Sequence, residues 1–213
     1  MKILILGLNY APEKVGIAVY TTGMAEALVR KGHEVHVIAG RPYYPAWRIA
    51  DGHNAWTYGW GRENGVHITR VPHYIPGKPS GIKRVLHHVS FALTSLFPAL
   101  FRAISFRPDV VLTVAPSSIA APVARMAAAI SGARSWLHVQ DFEVEAAFAT
   151  GLLGNEGRVA KAALAFERWV LTGFDRVTSI SPQMCGRLVT KVSGISTRGT
   201  EFGLIAKESS GLV

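Results

Sequence analysis

Acidic side chains are scarce in this chain: 14 Asp and Glu stand against 23 Lys and Arg over 213 residues. Cysteine is rarer still. The single Cys185 excludes an internal disulfide framework and a cysteine-based zinc site. Charged residues make up only 17% against 49% hydrophobic, which excludes compositional disorder and allows a sizeable core. An uninterrupted apolar span is also missing: the longest candidate, about Ile82 to Phe106, is broken by polar residues and by Pro98, too short and interrupted for a membrane crossing. The apolar start carries only Lys2 ahead of it and no small-residue cleavage site follows, so it does not read as a secretory signal. The G-x-G-x-x-G spacing is absent as well. Gly7 and Gly16 are too far apart for it, and the second strand runs into Gly40-Arg41 rather than a ribose-binding acid. Both absences argue against a nicotinamide or flavin site.

What is present begins with Ile3-Leu-Ile-Leu6, an apolar run that suits a central parallel strand buried on both faces. Pro12 and Gly16 mark a loop, and Ile17, Tyr20, Met24 and Leu28 recur at helical spacing up to Gly32. Strand, loop and helix open a βαβ unit, whose helix N-terminus can receive an anionic ligand. The glycines equally suit a tight chain reversal alone.

The positive charge is concentrated. Residues 41–107 carry 9 basic and 2 acidic side chains, while residues 108–190 balance at 7 and 7. A local positive field attracts phosphate in nucleic acid, lipid headgroups or substrate. The same third begins with a long aromatic loop over residues 40–65, holding Arg41, Tyr43, Tyr44, Trp47 and Arg48 and then Trp56, Tyr58 and Trp60. Aromatics beside cations suit sugar rings, a membrane interface or bases; folding back onto the core is the alternative. A nucleic-acid partner rests on charge and loop aromatics alone and is not expected. Residues 82–106 predict a helix with Lys83, Arg84, His87 and His88 near its start, kinked or divided at Pro98. It suits either an outer helix packed on a sheet or a helix lying on a membrane surface.

Further strands are expected at Glu34–Ala39, Val66–Val71, Pro108–Val114, Ser135–Gln140 and Asp175–Ile180. Helices are expected at Ile119–Ser131, Glu156–Gly173 and up to Thr190. The alternation predicts an α/β fold: a Rossmann-like, doubly wound parallel sheet with flanking helices. The strand Ser135–Gln140 ends in Asp141-Phe-Glu-Val-Glu145, an acidic cluster at the carboxyl edge. After Lys191 the chain is rich in Ser, Thr and Gly without sustained period, which predicts a domain over 1–190 and a flexible or aberrant tail over 191–213.

An ordered set of motifs resembles a known family. These are Gly7-Leu-Asn-Tyr-Ala-Pro12, Gly16-Ile-Ala-Val-Tyr-Thr21, Met24 through His33-Glu-Val, Pro42-Tyr-Tyr-Pro45, Pro108-Asp-Val-Val, His138-Val-Gln-Asp141 and Ser179-Ile-Ser-Pro182. Over about residues 1–190 the chain resembles the N-terminal half of a GT-B-type, family-4-like glycosyltransferase, of the bacterial colanic-acid and exopolysaccharide kind.

The resemblance implies that the domain holds an acceptor, a saccharide or a polyprenyl-diphosphate-linked sugar at the inner membrane surface. A second domain would hold the nucleotide sugar. It implies a cytoplasmic protein, peripheral on the membrane, with no metal or other cofactor. Gly16 would approach the donor, and His138 and Gln140 would lie over the sugar. Asp141 would orient an acceptor hydroxyl or act as base, with helix capping as its alternative. Tyr43, Tyr44 and Trp47 would bind sugar, while Arg41, Arg48, Lys83 and Arg84 would face phosphate or membrane. The paired-glutamate donor motif is not found in these 213 residues. The expectation is therefore a truncated or frame-shifted product, weakly active or inactive alone. A non-catalytic acceptor- or membrane-binding module, or one subunit of a split transferase, is the alternative.

Overall fold

The computed structural model describes residues 1–14, 16–116, 118–142, 157–192 and 200–204. Its elements, in order, are β1 (Lys2–Leu6), α1 (Ile17–Arg30), β2 (Glu34–Gly40), β3 (Gly59–Glu63), β4 (Val66–Val71), α2 (Gly81–Ser105), β5 (Val110–Ala115), a 3-10 turn (Ser118–Ala120), α3 (Ala121–Ser131), β6 (Arg134–Val139), α4 (Arg158–Leu171), β7 (Arg176–Ser179), α5 (Pro182–Val192) and β8 (Glu201–Leu204). Glu143, Glu145 and Glu156 lie outside the described residues.

Among the described residues the strands form one eight-stranded sheet in the order β3-β4-β2-β1-β5-β6-β7-β8. Every neighbouring pair is parallel except β3 and β4, which are antiparallel. The Rossmann-like α/β sheet expected from the sequence is therefore present. Period-2 alternation explains its two cores. Leu4 and Leu6 of β1 join a cluster with Phe91, Ala99, Ala124 and Leu137. Ile3 and Ile5 point the other way, toward Ala25 of α1 together with Val35, Val37 and Val114. A strand buried on both faces must be apolar where it is covered, and β1 is from Ile3 to Leu6, with only Lys2 exposed at its start.

The chain runs outward from β1 through β2 to β4, then returns to β5 on the other side of β1. The strand order reverses between β1 and β5. Their carboxyl ends open the crevice where doubly wound sheets bind ligands.

Three elements differ from the sequence expectation. Residues 59–63, read as part of a loop, form β3. Glu201–Leu204, in the stretch without sustained period, forms β8. The helix over 82–106 is one element, α2, with Pro98 inside it rather than dividing it. Proline has no N–H to give the carbonyl four residues back, here that of Thr94. The hydroxyl of Tyr58 donates to Thr94 O at 2.9 Å instead. A side chain from the aromatic loop thus satisfies the acceptor that Pro98 leaves open.

Candidate functional site

The loops after β1, β2 and β4 and the start of α2 meet at the carboxyl edge of the sheet. The loop after β1 is framed from within. Ala11 N donates to Thr22 Oγ1 at 2.9 Å, and Asn9 Nδ2 donates to Glu13 Oε2 at 2.9 Å. Gly40 closes β2 against it: Gly40 N donates to Leu8 O at 3.0 Å, and a Cβ at Gly40 would fall 2.9 Å from that oxygen. Only glycine allows this approach. Arg70, at the end of β4, ties the same loops from below. It donates to Ala11 O and to Gly40 O, and its guanidinium lies 5.4 Å from the Tyr10 ring centre.

Glu13 links this frame to the aromatic loop. Its Oε1 accepts the backbone N–H of Tyr43 at 2.8 Å and of Tyr44 at 2.9 Å. A carboxylate shared by two backbone donors is a charge-assisted clamp. It places the Tyr43–Trp47 segment three residues from Gly16. Gly16 itself begins α1 at φ 55°, without a side-chain cap and with open space around its Cβ position. Such a start leaves helix N–H groups unclaimed by side chains.

The aromatics form a layered cluster. Tyr43 is buried, with its ring 5.3 Å from Trp47 and 4.6 Å from His87. Tyr44 is exposed, edge-on to Trp47 at 6.4 Å. Arg84 of α2 places its guanidinium 5.6 Å from the Trp47 ring centre, a cation–π contact. His73 lies beneath, 4.9 Å from His87. Of the remaining loop aromatics, Tyr58 packs toward the core, whereas Trp56 and Trp60 are exposed.

Burial sets the electrostatics here. It pushes His73 down to about 3, with His87 adding to the shift, and His88 down to about 4. His87 is lowered by the same cause. Burial also raises the Tyr43 hydroxyl above its ordinary value. These imidazoles are neutral near pH 7. The buried His73 Nε2, His87 Nε2 and Arg41 Nε have no hydrogen-bond partner among the described residues.

The second group of sequence candidates lies across the switch point, at the end of β6. Gln140 N donates to Ala115 O at 3.3 Å, which fixes it beside the end of β5. The residue is only 8% exposed, and Oε1 has no hydrogen-bond partner among the described residues. A buried amide oxygen with no donor is costly, so it marks a place where a ligand hydroxyl or N–H would be welcome. Asp141 is exposed, and its Oδ1 accepts the N–H of Phe142 at 2.8 Å. Any helix it would cap lies outside the described residues.

Three candidates sit elsewhere than the sequence reading placed them. Tyr43, read as binding sugar, is only 6% exposed and packs against Trp47 and His87 instead. His138 is buried within the β6–β7 layer, 3.0 Å from Thr178 Oγ1, which also accepts Trp136 Nε1 at 2.7 Å. Burial holds His138 at about 4, so it is a neutral interior histidine rather than a rim group. Arg41, read as facing phosphate or membrane, is 5% exposed and lies against Gly59. Arg48, Lys83 and Arg84 remain exposed. The sequence reading missed Glu13, Arg70 and His73. Glu13 alone carried a signal, as the lone acid in a turn before an uncapped helix.

With aromatic faces, a cation and an unpartnered amide along one edge of a doubly wound sheet, the chain has the parts of a sugar-handling domain. Residues 15–195 match the glycosyl transferase 4-like domain, and the chain belongs to that family. Over 205 residues it is 44% identical to WcaI of Escherichia coli (strain K12), a putative colanic acid biosynthesis glycosyl transferase. That match covers 95% of this chain and 49% of the relative, so the chain spans about half the length of the curated relative it matches.

Solved structures give the same fold. Arabidopsis thaliana UGT89C1 superposes with a TM-score of 0.57 at 14% identity, covering 100% of this chain and 51% of that one. CalG4, the calicheamicin glycosyltransferase, gives 0.50 at 14% identity, covering 86% and 48%. Over about half of each of those chains, the α/β, Rossmann-like sheet matches that of GT-B glycosyltransferases.

Proposed function

We propose that this chain supplies the acceptor side of a sugar transfer, from a nucleotide sugar to a saccharide or polyprenyl-diphosphate-linked acceptor in cell-surface polysaccharide synthesis. The observation that carries the reading is the clamp of Glu13 on Tyr43 and Tyr44. It holds Tyr44, Trp47 and Arg84 on the same edge as Gly16 and the switch point. Flat aromatic faces pack against sugar C–H surfaces, and the cation meets an acceptor phosphate. Gln140 Oε1 would accept a sugar hydroxyl across the crevice. Asp141, exposed beside it, is the carboxylate nearest in sequence for orienting the attacking hydroxyl or taking its proton.

A second reading is favoured by the 49% coverage of the E. coli relative. In it these residues form an acceptor-binding module, and the nucleotide-sugar pocket is supplied by other residues. Nucleoside diphosphate release separates the two. The chain is incubated with a panel of nucleotide sugars and with saccharide and short-chain polyprenyl-diphosphate sugar acceptors. The same mixtures are repeated with the separately produced remainder of the E. coli relative. Acceptor-dependent release that requires the added half supports the module. Release by the chain alone overturns the module reading. Acceptor-independent signals in both, with no sugar joined to any acceptor, contradict the sugar-transfer reading.

A further inference from the structure

Residues 50–65 hold no aliphatic side chain larger than alanine. Within them stand Trp56, 88% exposed, and Trp60, 72% exposed. Both are held in place. Asn54 Oδ1 accepts the backbone N–H of Trp56 at 2.8 Å and that of Thr57 at 3.3 Å. Trp60 lies in β3, and its ring stacks on Tyr58 with centres 6.4 Å apart and planes 26° apart. Tyr58 is itself tied to α2 through Thr94 O. Two indoles kept in water on a fixed frame are the informative exception to an ordinary surface. Their neighbours name the occupant. Gly59 and Gly61 flank Trp60 in the strand, and a Cβ at Gly61 would meet nothing within 4 Å. Asn54, Thr57 and Arg62 are exposed in the same segment. A protein partner buries its aromatics in an apolar core, with aliphatic side chains beside them. A saccharide instead needs an open ring face for its C–H surface and hydrogen-bonding groups at the rim. In residues 50–65 only the second set is present.

We infer that Trp56 and Trp60 form a platform for a saccharide chain, separate from the crevice between β1 and β5. β3 is the edge strand, three strand spacings from β1, or about 14 Å. Gly59 pairs with Arg70 near the end of β4, so the strand that carries Trp60 begins at the carboxyl edge of the sheet, the edge that also carries Trp47 and Gln140. Trp56 and Trp60 are four residues apart, so at most about 14 Å of chain separates them. One oligosaccharide is long enough to run from the crevice across both rings. The inference rests on the acceptor reading of the crevice for that direction: the units behind the reacting sugar lie on the platform. A fixed platform costs little ordering when the chain binds.

Saccharide length tests it. Isothermal titration of the 213-residue chain uses cello- and malto-oligosaccharides, each as the disaccharide and the hexasaccharide. In at least one series the hexasaccharide should bind about tenfold or more tighter than the disaccharide. The double variant Trp56→Ala, Trp60→Ala changes only exposed side chains, and circular dichroism checks its fold. It should bring the hexasaccharide down to the disaccharide's affinity and leave the disaccharide unchanged. Trp56→Tyr with Trp60→Tyr keeps flat ring faces and should retain most of the gain. No gain with length in either series, or a gain that the alanine variant keeps, overturns the inference. So does a wild-type dimer, by light scattering, that the alanine variant converts to monomer without any change in saccharide binding. Trp47→Ala separates the two readings. A gain with length that depends on Trp56 and Trp60, while disaccharide binding ignores Trp47, overturns the acceptor reading and leaves the platform standing.

Discussion

The Tyr58 hydroxyl donates to Thr94 O at 2.9 Å, the oxygen that Pro98 leaves without its helical N–H. A long loop and a long helix are thereby made mutually dependent. The loop supplies a donor that the helix lacks, and the helix fixes the loop beneath its exposed aromatics. Tyr58→Phe should destabilise the protein by about 1–2 kcal/mol, because Thr94 O loses its partner inside the fold. In a Pro98→Ala background the backbone N–H of residue 98 can take that oxygen, and the same change should cost well under half as much. A double-mutant cycle by urea unfolding reads the difference. Equal costs in both backgrounds would show that the hydroxyl is not compensating for the proline.

Glu13 is the other long-range tie. Two backbone donors and the Asn9 amide converge on its carboxylate. Glu13→Ala should cost about 3 kcal/mol, the upper part of the range for hydrogen bonds to a charged group. It should also raise the rate of limited proteolysis within residues 44–58. Glu13→Gln keeps an acceptor oxygen for Tyr43 and Tyr44 and should recover most of the loss. Resistance to proteolysis equal to wild type in Glu13→Ala would mean that the loop is held by its aromatic packing alone.

Stability should depend on pH through the buried imidazoles. His36 and His73 are lowered to about 3, and His88 and His138 to about 4, each chiefly by burial. The folded state keeps them neutral, whereas the unfolded chain takes up protons near pH 6.5. Stability is therefore fully present above about pH 6.5 and falls below it, by up to about 1.4 kcal/mol per pH unit for each histidine, until the folded pKa is reached. Urea unfolding between about pH 7.5 and pH 5 checks the sign, in a window above ordinary carboxylate titration. A flat or rising profile would mean that these rings are protonated in the fold.

The parallel core was legible because its chemistry is local. Leu4, Ile5 and Leu6 must be apolar on both faces, and the run shows it. The loops were harder. Gly59-Trp-Gly-Arg-Glu63 has no buried alternation, and its identity as β3 comes from pairing with β4. Arg41 reads as a surface cation until Gly59 is brought against it. Glu13 and Tyr43 are 30 residues apart, and nothing in either segment announces the other. For the same reason His138 looked like a rim residue. Strand periodicity does not tell which polar side chain near a carboxyl end is satisfied by a neighbouring strand, and Thr178 is 40 residues further on. Gln140 was singled out from sequence, but its unpartnered oxygen is visible only in the fold.

A sugar acceptor seated at the carboxyl edge between Trp47 and Gln140 should be visible as binding in its own right. Isothermal titration of the 213-residue chain would use a short-chain polyprenyl-diphosphate sugar and the matching free saccharide. Gln140→Leu should leave the fold as stable as wild type, or slightly more stable, because it removes a buried oxygen that has no donor among the described residues. Saturable binding of at least one acceptor is expected, weakened about tenfold or more by Gln140→Leu and by Trp47→Ala, equivalent to roughly 1.4 kcal/mol each. No saturable binding of either acceptor, or binding that both folded variants retain in full, would contradict it.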